Sequence, residues 1–200
     1  MKPVFQRITL AVCTLAWLAG VTWGLSIVWA YENRPGEEAH APVHWPAASA
    51  LTAATDRPTL VFLAHPQCPC TRASLEELNR VLARAPRAAK TYVLFLRPAG
   101  VDAGWVQTDL WRTAAALPGV TVLRDDGGVE ARRFGVATSG QTLLYDRGGT
   151  LVFAGGITGS RGHAGDNAGE TSLLTLLASG TADRQATSVF GCPLFARVSP

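Results

Sequence analysis

The chemistry of this 200-residue chain is concentrated in two cysteines that one proline separates, Cys68-Pro69-Cys70. They follow an apolar run typical of a buried strand, residues 59–64, and precede an amphipathic stretch, residues 71–85, that predicts a helix. A helix N-terminus carries a partial positive charge and unpaired N–H donors, which stabilise a thiolate and lower the pKa of a thiol. Pro69 restricts the backbone between the sulfurs and lacks only an N–H that early helical positions do not need. The pattern predicts a nucleophilic thiolate, and a disulfide within so tight a ring would be easily reduced.

The N-terminal segment predicts export of the part that carries these cysteines. Residues 8–30 contain no charged side chain and would span about 34 Å as a helix, enough to cross a bilayer. Lys2 and Arg7 precede the segment and Glu32 follows it, so the distribution of charge places the rest of the chain outside the cytoplasm. The apolar core is longer than that of a cleavable signal, which favours an uncleaved anchor. We expect residues 1–7 in the cytoplasm, one pass through a bacterial-type inner membrane, and a C-terminal domain in the periplasm.

Length and charge exclude other classes of protein. Two hundred residues leave room for one folded domain besides the anchor. Without Lys2 and Arg7, the 18 basic residues fall to 16, against 15 acidic ones. This balance gives no electrostatic footprint for a nucleic acid.

Alternating apolar runs and helical patterns predict one α/β domain over residues 58–180. Beyond the strand and helix around the cysteines, we expect strands at about 91–96, 119–123, 142–145 and 150–154, and helices at about 105–117 and 170–179. Residues 31–57 contain three prolines and no sustained period, which predicts a solvated periplasmic linker. Residues 181–200 form a C-terminal tail.

The exported part has three cysteines, Cys68, Cys70 and Cys192, an odd number in a compartment where disulfides are usual. Residues 180–191 are long enough to bring Cys192 back to the other two. Cys192 is therefore a candidate resolving cysteine, and the alternatives are a structural disulfide to the body of the domain and a buried free thiol. Cys13, within the anchor, is interpreted as a small apolar residue.

Residues 58–180 resemble the thioredoxin-like superfamily, through LAHPQCPCTRASLEEL around the cysteines and FGVATSGQTLLYDRGGTLVFAGGI farther on. More narrowly, HPQCPCTRASL, TSGQTLLYD, GGITGSRGHAGDN and FGCPLF resemble the membrane-anchored, RedB-type thioredoxin-like proteins. The resemblance implies an α/β sandwich, with a central mixed sheet and helices on both faces, and redox chemistry at the cysteines. Two features depart from the superfamily. The cysteine spacing is CxC and not CxxC, and Gly140 stands where the family has the cis-proline that shapes its peptide groove.

The topology of a thioredoxin-like sheet places the glycine-rich residues 155–169 over the cysteines. In this loop Arg161 is a candidate to stabilise a thiolate or bind an acidic substrate, and the alternative is an ordinary exposed arginine. His163 is a candidate base, thiolate partner or metal ligand, and the alternative is a solvated loop histidine. His65, in the loop before the cysteines, is a candidate to tune their pKa values or coordinate a metal.

Thiol–disulfide exchange is the preferred function, because all the parts that it needs are present. The thiolate of Cys68 or Cys70 would attack a disulfide, and the neighbouring cysteine or Cys192 would resolve the mixed intermediate. No cofactor is expected, and the partners would be disulfides of periplasmic or membrane proteins, or an upstream electron donor. The main alternative is a copper chaperone or assembly factor for a respiratory oxidase, with Cys68, Cys70 and His163 as Cu(I) ligands. A thiol peroxidase and an interaction protein without chemistry are the others.

Overall fold

The structure, a computed structural model, describes residues 2–195, and the chain divides into two compact units, the first 34 residues and the remainder. The first unit is one helix, α1 (Lys2–Glu32), which includes the predicted residues 8–30 and extends beyond them. By length and composition, Pro3–Glu32 is apolar enough to cross a membrane. The hydroxyl of Thr22 donates to the carbonyl of Leu18 one turn earlier (2.8 Å), which gives this polar group a partner within the apolar helix.

The second unit is built on a five-stranded mixed sheet. Its strands are β1 (Thr59–Ala64), β2 (Lys90–Arg97), β3 (Val120–Asp126), β4 (Thr142–Tyr145) and β5 (Leu151–Gly155), in the order β3-β2-β1-β4-β5. β2 is parallel to β1 and β3, whereas β4 is antiparallel to β1 and β5. Every residue of the central strand β1 is buried, which accounts for its apolar sequence from Leu60 to Ala64.

Helices cover both faces of this sheet. They are α2 (Pro69–Arg84), a 3-10 turn (Ala103–Val106), α3 (Asp109–Ala115), α4 (Val129–Arg133) and α5 (Ala168–Ser179). α2, α3 and α5 contribute to one hydrophobic core, and α4 contributes to a second core on the opposite face, because alternate residues of each strand point to opposite sides. The fold is thioredoxin-like, as the resemblance implied.

Two predicted elements differ from those in the structure. The single helix expected at residues 105–117 is a 3-10 turn followed by α3, because Thr108 interrupts it and caps α3, its side chain accepting from the N–H of Trp111. The short helix α4 was not predicted, since five residues are too few to show a helical period. The buried carboxylate of Asp125 holds its start by accepting from two backbone N–H groups of the helix.

The prediction of a solvated linker at residues 31–57 was wrong for most of its length, because residues 35–57 pack on the domain. The ring of Trp45 lies edge-on against Phe134 and Tyr145, with centroids 5.1 and 5.2 Å apart, and Leu51 is buried in the same core. The folded unit therefore begins at residue 35 and not at 58. Prolines exclude this segment from regular helix and strand but not from the core.

Candidate functional site

The two neighbouring cysteines lie at the start of α2. Cys68 is the N-cap residue, Pro69 is the first helical residue, and Cys70 follows in the same turn. β1 ends four residues before Cys68, so the cysteines lie near the C-terminal end of the central strand. Cys68 is only 1% exposed and Cys70 only 6%.

The C-terminal tail lies beside these cysteines. We name residues 185–195 the tail segment. The N–H of Ser139 donates to the carbonyl of Cys192 (2.9 Å), and the N–H of Leu194 donates to the carbonyl of Ala137 (2.7 Å). The tail segment thus pairs with residues 137–139 as a short antiparallel strand would, and it brings Cys192 back to the other two cysteines, as its length predicted.

The three sulfurs are in hydrogen-bonding contact, and all three cysteines are free thiols. The pKa of Cys68 is far below its ordinary value, because the thiols of Cys192 and Cys70 donate to its sulfur and outweigh burial. The backbone N–H groups of Cys192 and Thr71 add to this stabilisation. Cys68 is therefore the thiolate of the cluster.

The other two sulfurs keep their protons. The pKa of Cys192 is raised, since its proton is held in hydrogen bonds with Cys68 and Cys70 and the group is partly buried. At Cys70 a hydrogen bond with Cys192 lowers the pKa, but the hydrogen bond with Cys68, burial and the Cys68 charge outweigh it and raise the pKa overall. The directions of the three shifts thus favour a thiolate at Cys68 and protons on Cys70 and Cys192.

Arg161 reaches this cluster from the glycine-rich loop. Its guanidinium donates to the carbonyl of Gly191 (2.7 Å), directly before Cys192. Its positive charge also acts to lower the pKa of Cys70, after the larger effect of the Cys192 hydrogen bond. The structure therefore places Arg161 near the cysteines, half-buried and hydrogen-bonded to the tail segment, and its role towards a thiolate stays a prediction.

His163 is placed differently. Its side chain is exposed, and its Nδ1 lies 2.8 Å from the carbonyl oxygen of Arg161 in the same loop. This is the arrangement of a solvated loop histidine. Among residues 2–195, no group of three or more His, Cys, Asp or Glu side chains is arranged to hold a metal ion.

His65 lies close to the thiolate. Its ring is half-buried and packs edge-on against Trp105, with centroids 5.4 Å apart. Burial lowers the pKa of His65, and the negative charge of Cys68 opposes that effect. A neutral imidazole beside the thiolate follows from the lowered pKa.

A pair of buried hydroxyls, which the sequence analysis missed, supports the loop before the cysteines. Ser139 Oγ accepts from the N–H of His65 (2.8 Å) and lies 2.8 Å from Thr71 Oγ1. Both side chains are 1% exposed. Since the N–H of Ser139 also binds Cys192, this residue joins the loop after β1, the first turn of α2 and the tail segment. The only sequence signal is its position before Gly140, and serine is common in such loops.

Gly140 lies in the loop before β4, with a backbone conformation that suits glycine. Its φ of +88° is one that proline cannot adopt. Its N–H donates to the carbonyl of Leu63 (2.7 Å), and a Cβ at this position would lie 3.0 Å from Ser74 Oγ. The loop is thus present at the predicted place, with a glycine geometry of its own.

A buried carboxyl on α2 also escaped the sequence analysis. Glu77 is fully buried, and its Oε1 accepts from the N–H of Gly165 and from Arg80 (3.0 Å). Within the described chain its Oε2 is buried without a hydrogen-bond partner. Burial raises the pKa of Glu77, and the Gly165 N–H and the Arg80 charge oppose this effect. Glu77 therefore ties the glycine-rich loop to α2 at a cost in desolvation.

Comparison with known proteins supports the fold only. No protein-family model and no curated protein matches the sequence. A hypothetical protein of Sinorhizobium meliloti 1021 is 19% identical, with a TM-score of 0.58, covering 80% of this chain and 93% of its own. An uncharacterized conserved protein of Geobacillus kaustophilus is 17% identical, with a TM-score of 0.59, covering 84% of this chain and 95% of its own. A secreted disulfide oxidoreductase of Mycobacterium tuberculosis is 21% identical, covering 62% of this chain and 81% of its own, with a TM-score of 0.43.

Proposed function

We propose that the chain is a thiol–disulfide oxidoreductase whose reactive group is the cluster of Cys68, Cys70 and Cys192. The observation that carries this proposal is that the backbone pairing of the tail segment with residues 137–139 brings Cys192 to Cys68 and Cys70 at the start of α2. The lowered pKa of Cys68 and the raised pKa of Cys192 agree with it. Thiolates are the nucleophiles and the better leaving groups of thiol–disulfide exchange. Two neighbouring thiols then provide partners for an internal disulfide.

In this reaction two electrons pass between the cluster and a partner disulfide. When the partner is reduced to two thiols, an internal disulfide forms between Cys68 and either Cys192 or Cys70. The reverse reaction oxidises two partner thiols and restores the thiolate of Cys68. Arg161 would hold the tail segment through its hydrogen bond to the carbonyl of Gly191, and its positive charge favours the ionised form of Cys70.

The proposed location is the periplasmic face of a bacterial-type inner membrane. The apolar helix at Pro3–Glu32 would serve as the anchor, and Lys2 and Arg7 would keep its start in the cytoplasm. The partners would then be disulfides of periplasmic or membrane proteins, or an upstream electron donor. Membership of the RedB-type group rests on the sequence resemblance and is part of the same proposal.

The test uses the full chain in detergent micelles and measures turnover of glutathione disulfide and reduction of insulin. Four variants are compared with the parent, Cys13→Ser, Cys68→Ser, Cys70→Ser and Cys192→Ser. We expect Cys68→Ser to abolish both activities and Cys13→Ser, the control in the apolar helix, to keep them. Equal turnover by the parent and Cys68→Ser would contradict the proposal.

The same three sulfurs favour a second candidate function, binding of Cu(I) by soft thiolates. Cys192 would replace His163 in the ligand set, and the sulfurs would have to rearrange, because residues 2–195 contain no preformed metal group. Copper retained stoichiometrically by the reduced chain and lost in Cys192→Ser would support this function. Binding no tighter than that of a chain without cysteines would exclude it.

A further inference from the structure

We propose, on the basis of the function proposed above, that external partners exchange at Cys192, and that the tail segment keeps them from Cys68. Cys192 would then be the entry sulfur of the cluster. Cys68 would make and break only the internal disulfide. The partner would be a thiol or disulfide on a small or protruding group, which can reach Cys192 without an extended chain lying beside Ser139.

Occupation of residues 137–139 is the first argument. An external peptide could pair with this edge through the N–H of Ser139 and the carbonyl of Ala137, but the tail segment already uses both groups. An antiparallel bridge between Thr138 and Pro193 lies between these two hydrogen bonds. An extended partner therefore has no free backbone group here while the tail segment is docked.

Close packing of the tail segment is the second argument. A Cβ on Gly191 would overlap the carbonyl oxygen of Ser139, so the two backbones touch where an ordinary side chain would separate them. Farther back, the hydroxyl of Thr187 donates to the carbonyl of Gly156 (2.7 Å), and Val189 is buried. Together with the hydrogen bond from the N–H of Leu194, these contacts fix the tail segment on both sides of Cys192.

Exposure of the three cysteines is the third argument. Cys68 and Cys70 are buried, whereas Cys192 is half-buried and is followed by the exposed Pro193. Cys192 is therefore the cysteine of the cluster that a partner meets first from solvent. The thiolate and the accessible sulfur are different residues.

The reaction follows from this separation. In the oxidised protein, with a disulfide between Cys68 and Cys192, a partner thiolate attacks the sulfur of Cys192. The bond between Cys68 and Cys192 breaks, a mixed disulfide forms on Cys192, and Cys68 leaves as the thiolate, for which the cluster is built. The second thiolate of the partner then attacks the partner sulfur of the mixed disulfide. This forms the partner's own disulfide and releases Cys192 as a thiolate, which takes up a proton. In the reverse direction Cys192 attacks a partner disulfide, and its proton goes to the partner sulfur that leaves. The Cys68 thiolate then attacks the Cys192 sulfur of the mixed disulfide, which forms the internal disulfide and releases the second partner thiolate.

The experiment identifies the sulfur that carries the mixed disulfide. The full chain with Cys13→Ser and Cys70→Ser retains only Cys68 and Cys192, and diamide oxidises it to the internal disulfide. Reduced glutathione is added briefly, acid stops the exchange, and peptide mapping locates the glutathione. We expect glutathione on Cys192 in at least about tenfold excess over Cys68, because Cys68 is the better leaving group and the less accessible target.

A tail variant and its control test the role of docking. In the same background, Gly191→Val should force the tail segment away from Ser139 and shift glutathione towards Cys68. Gly159→Val is the matched control, since a Cβ there meets only Asn167, at 3.8 Å, and the preference for Cys192 should persist. If Gly191→Val does not fold, the chain with Cys13→Ser and Cys70→Ser alone still tests the proposal, through the position of the glutathione.

Each remaining outcome has a distinct meaning. Glutathione mainly on Cys68, or equally on both cysteines, overturns the entry role of Cys192 while leaving exchange itself intact. Absence of an internal disulfide in the two-cysteine chain also overturns it. Loss of the proposed function is recognised separately, by equal glutathione disulfide turnover in the parent and Cys68→Ser.

Discussion

The thiol of Cys192 is the largest contributor to the low pKa of Cys68, and its removal gives a quantitative test. Cys192→Ala deletes the side-chain donor but keeps the backbone N–H that also binds the Cys68 sulfur. A hydrogen bond to a charged group contributes about 1.5–3 kcal/mol. Since one pKa unit corresponds to about 1.4 kcal/mol, the pKa of Cys68 should rise by about one to two units.

Cys192→Ser is the matched control, because a hydroxyl can donate where the thiol did. Its Cys68 should keep a lower pKa than in Cys192→Ala. Both variants are made with Cys13→Ser, and the pKa is measured from the pH dependence of thiolate absorbance and of Cys68 alkylation, located by peptide mapping. A Cys68 pKa in Cys192→Ala within about half a unit of the parent would refute the assignment of Cys192 as donor.

The same shift determines how stability depends on pH. The pKa of Cys68 is depressed in the folded state and about 8.5 in the unfolded chain. Its contribution to the free energy of unfolding is therefore fully present above about pH 8.5 and is lost as the pH falls towards the folded pKa. In Cys192→Ala the pKa of Cys68 in the folded state is higher than in the parent. The free energy of unfolding of the reduced variant should therefore rise less than that of the parent when the pH is raised from acid to alkaline values.

Three further predictions concern the packing and the buried polar groups of the domain. Ser139→Ala should lower the free energy of unfolding by about 1–3 kcal/mol, because the buried N–H of His65 loses its acceptor, and urea titration measures it. Trp45→Ala should cost about 3 kcal/mol in the same assay, and no loss would contradict the packing of residues 35–57 on the domain. Glu77 has a raised folded pKa, so its contribution to stability is present below the unfolded pKa of about 4.3 and is lost as pH rises through the folded pKa. Glu77→Gln should therefore flatten the fall of the melting temperature with rising pH, and a parallel fall in both proteins would contradict the burial of a titrating carboxyl.

A control for Ser139→Ala is available in the tail segment. Ser188 is exposed, and Ser188→Ala should stay within about 0.5 kcal/mol of the parent. Equal losses in the two variants would mean that the hydroxyl pair with Thr71 adds nothing specific.

The sequence predicted the two fully buried strands best, because burial of every residue leaves little choice but apolar side chains. β1 was predicted at its observed bounds, and the predicted β4 also coincides with the observed Thr142–Tyr145. The length of the tail was sufficient to predict the return of Cys192. By contrast, residues 35–57 show no hydrophobic periodicity, because their packing depends on single contacts such as that of Trp45 with Tyr145. Their burial could therefore not be predicted from the sequence pattern.

Composition could not distinguish the roles of side chains within the glycine-rich loop. Arg161 and His163 are two residues apart, yet one reaches the cysteine cluster and the other stays in solvent. The choice depends on loop conformation, because the carbonyl that Arg161 binds belongs to a segment thirty residues later. Likewise, the contact between Thr71 and Ser139 depends on the pairing of β1 with β4, which brings the loops that follow β1 and precede β4 together.

Gly140, the CxC spacing and the third cysteine belong to one arrangement in the folded chain. Gly140 adopts a φ that proline cannot, and the edge formed by residues 137–139 binds the chain's own tail segment. That tail brings a third cysteine to the pair, so the CxC spacing does not have to supply both a nucleophile and an accessible partner. Cys68 is the N-cap and Cys70 lies in the first turn of α2, and Cys192 reaches both from the tail segment. The short spacing is therefore consistent with an internal disulfide between Cys68 and Cys192, which avoids the strained ring that neighbouring cysteines would form.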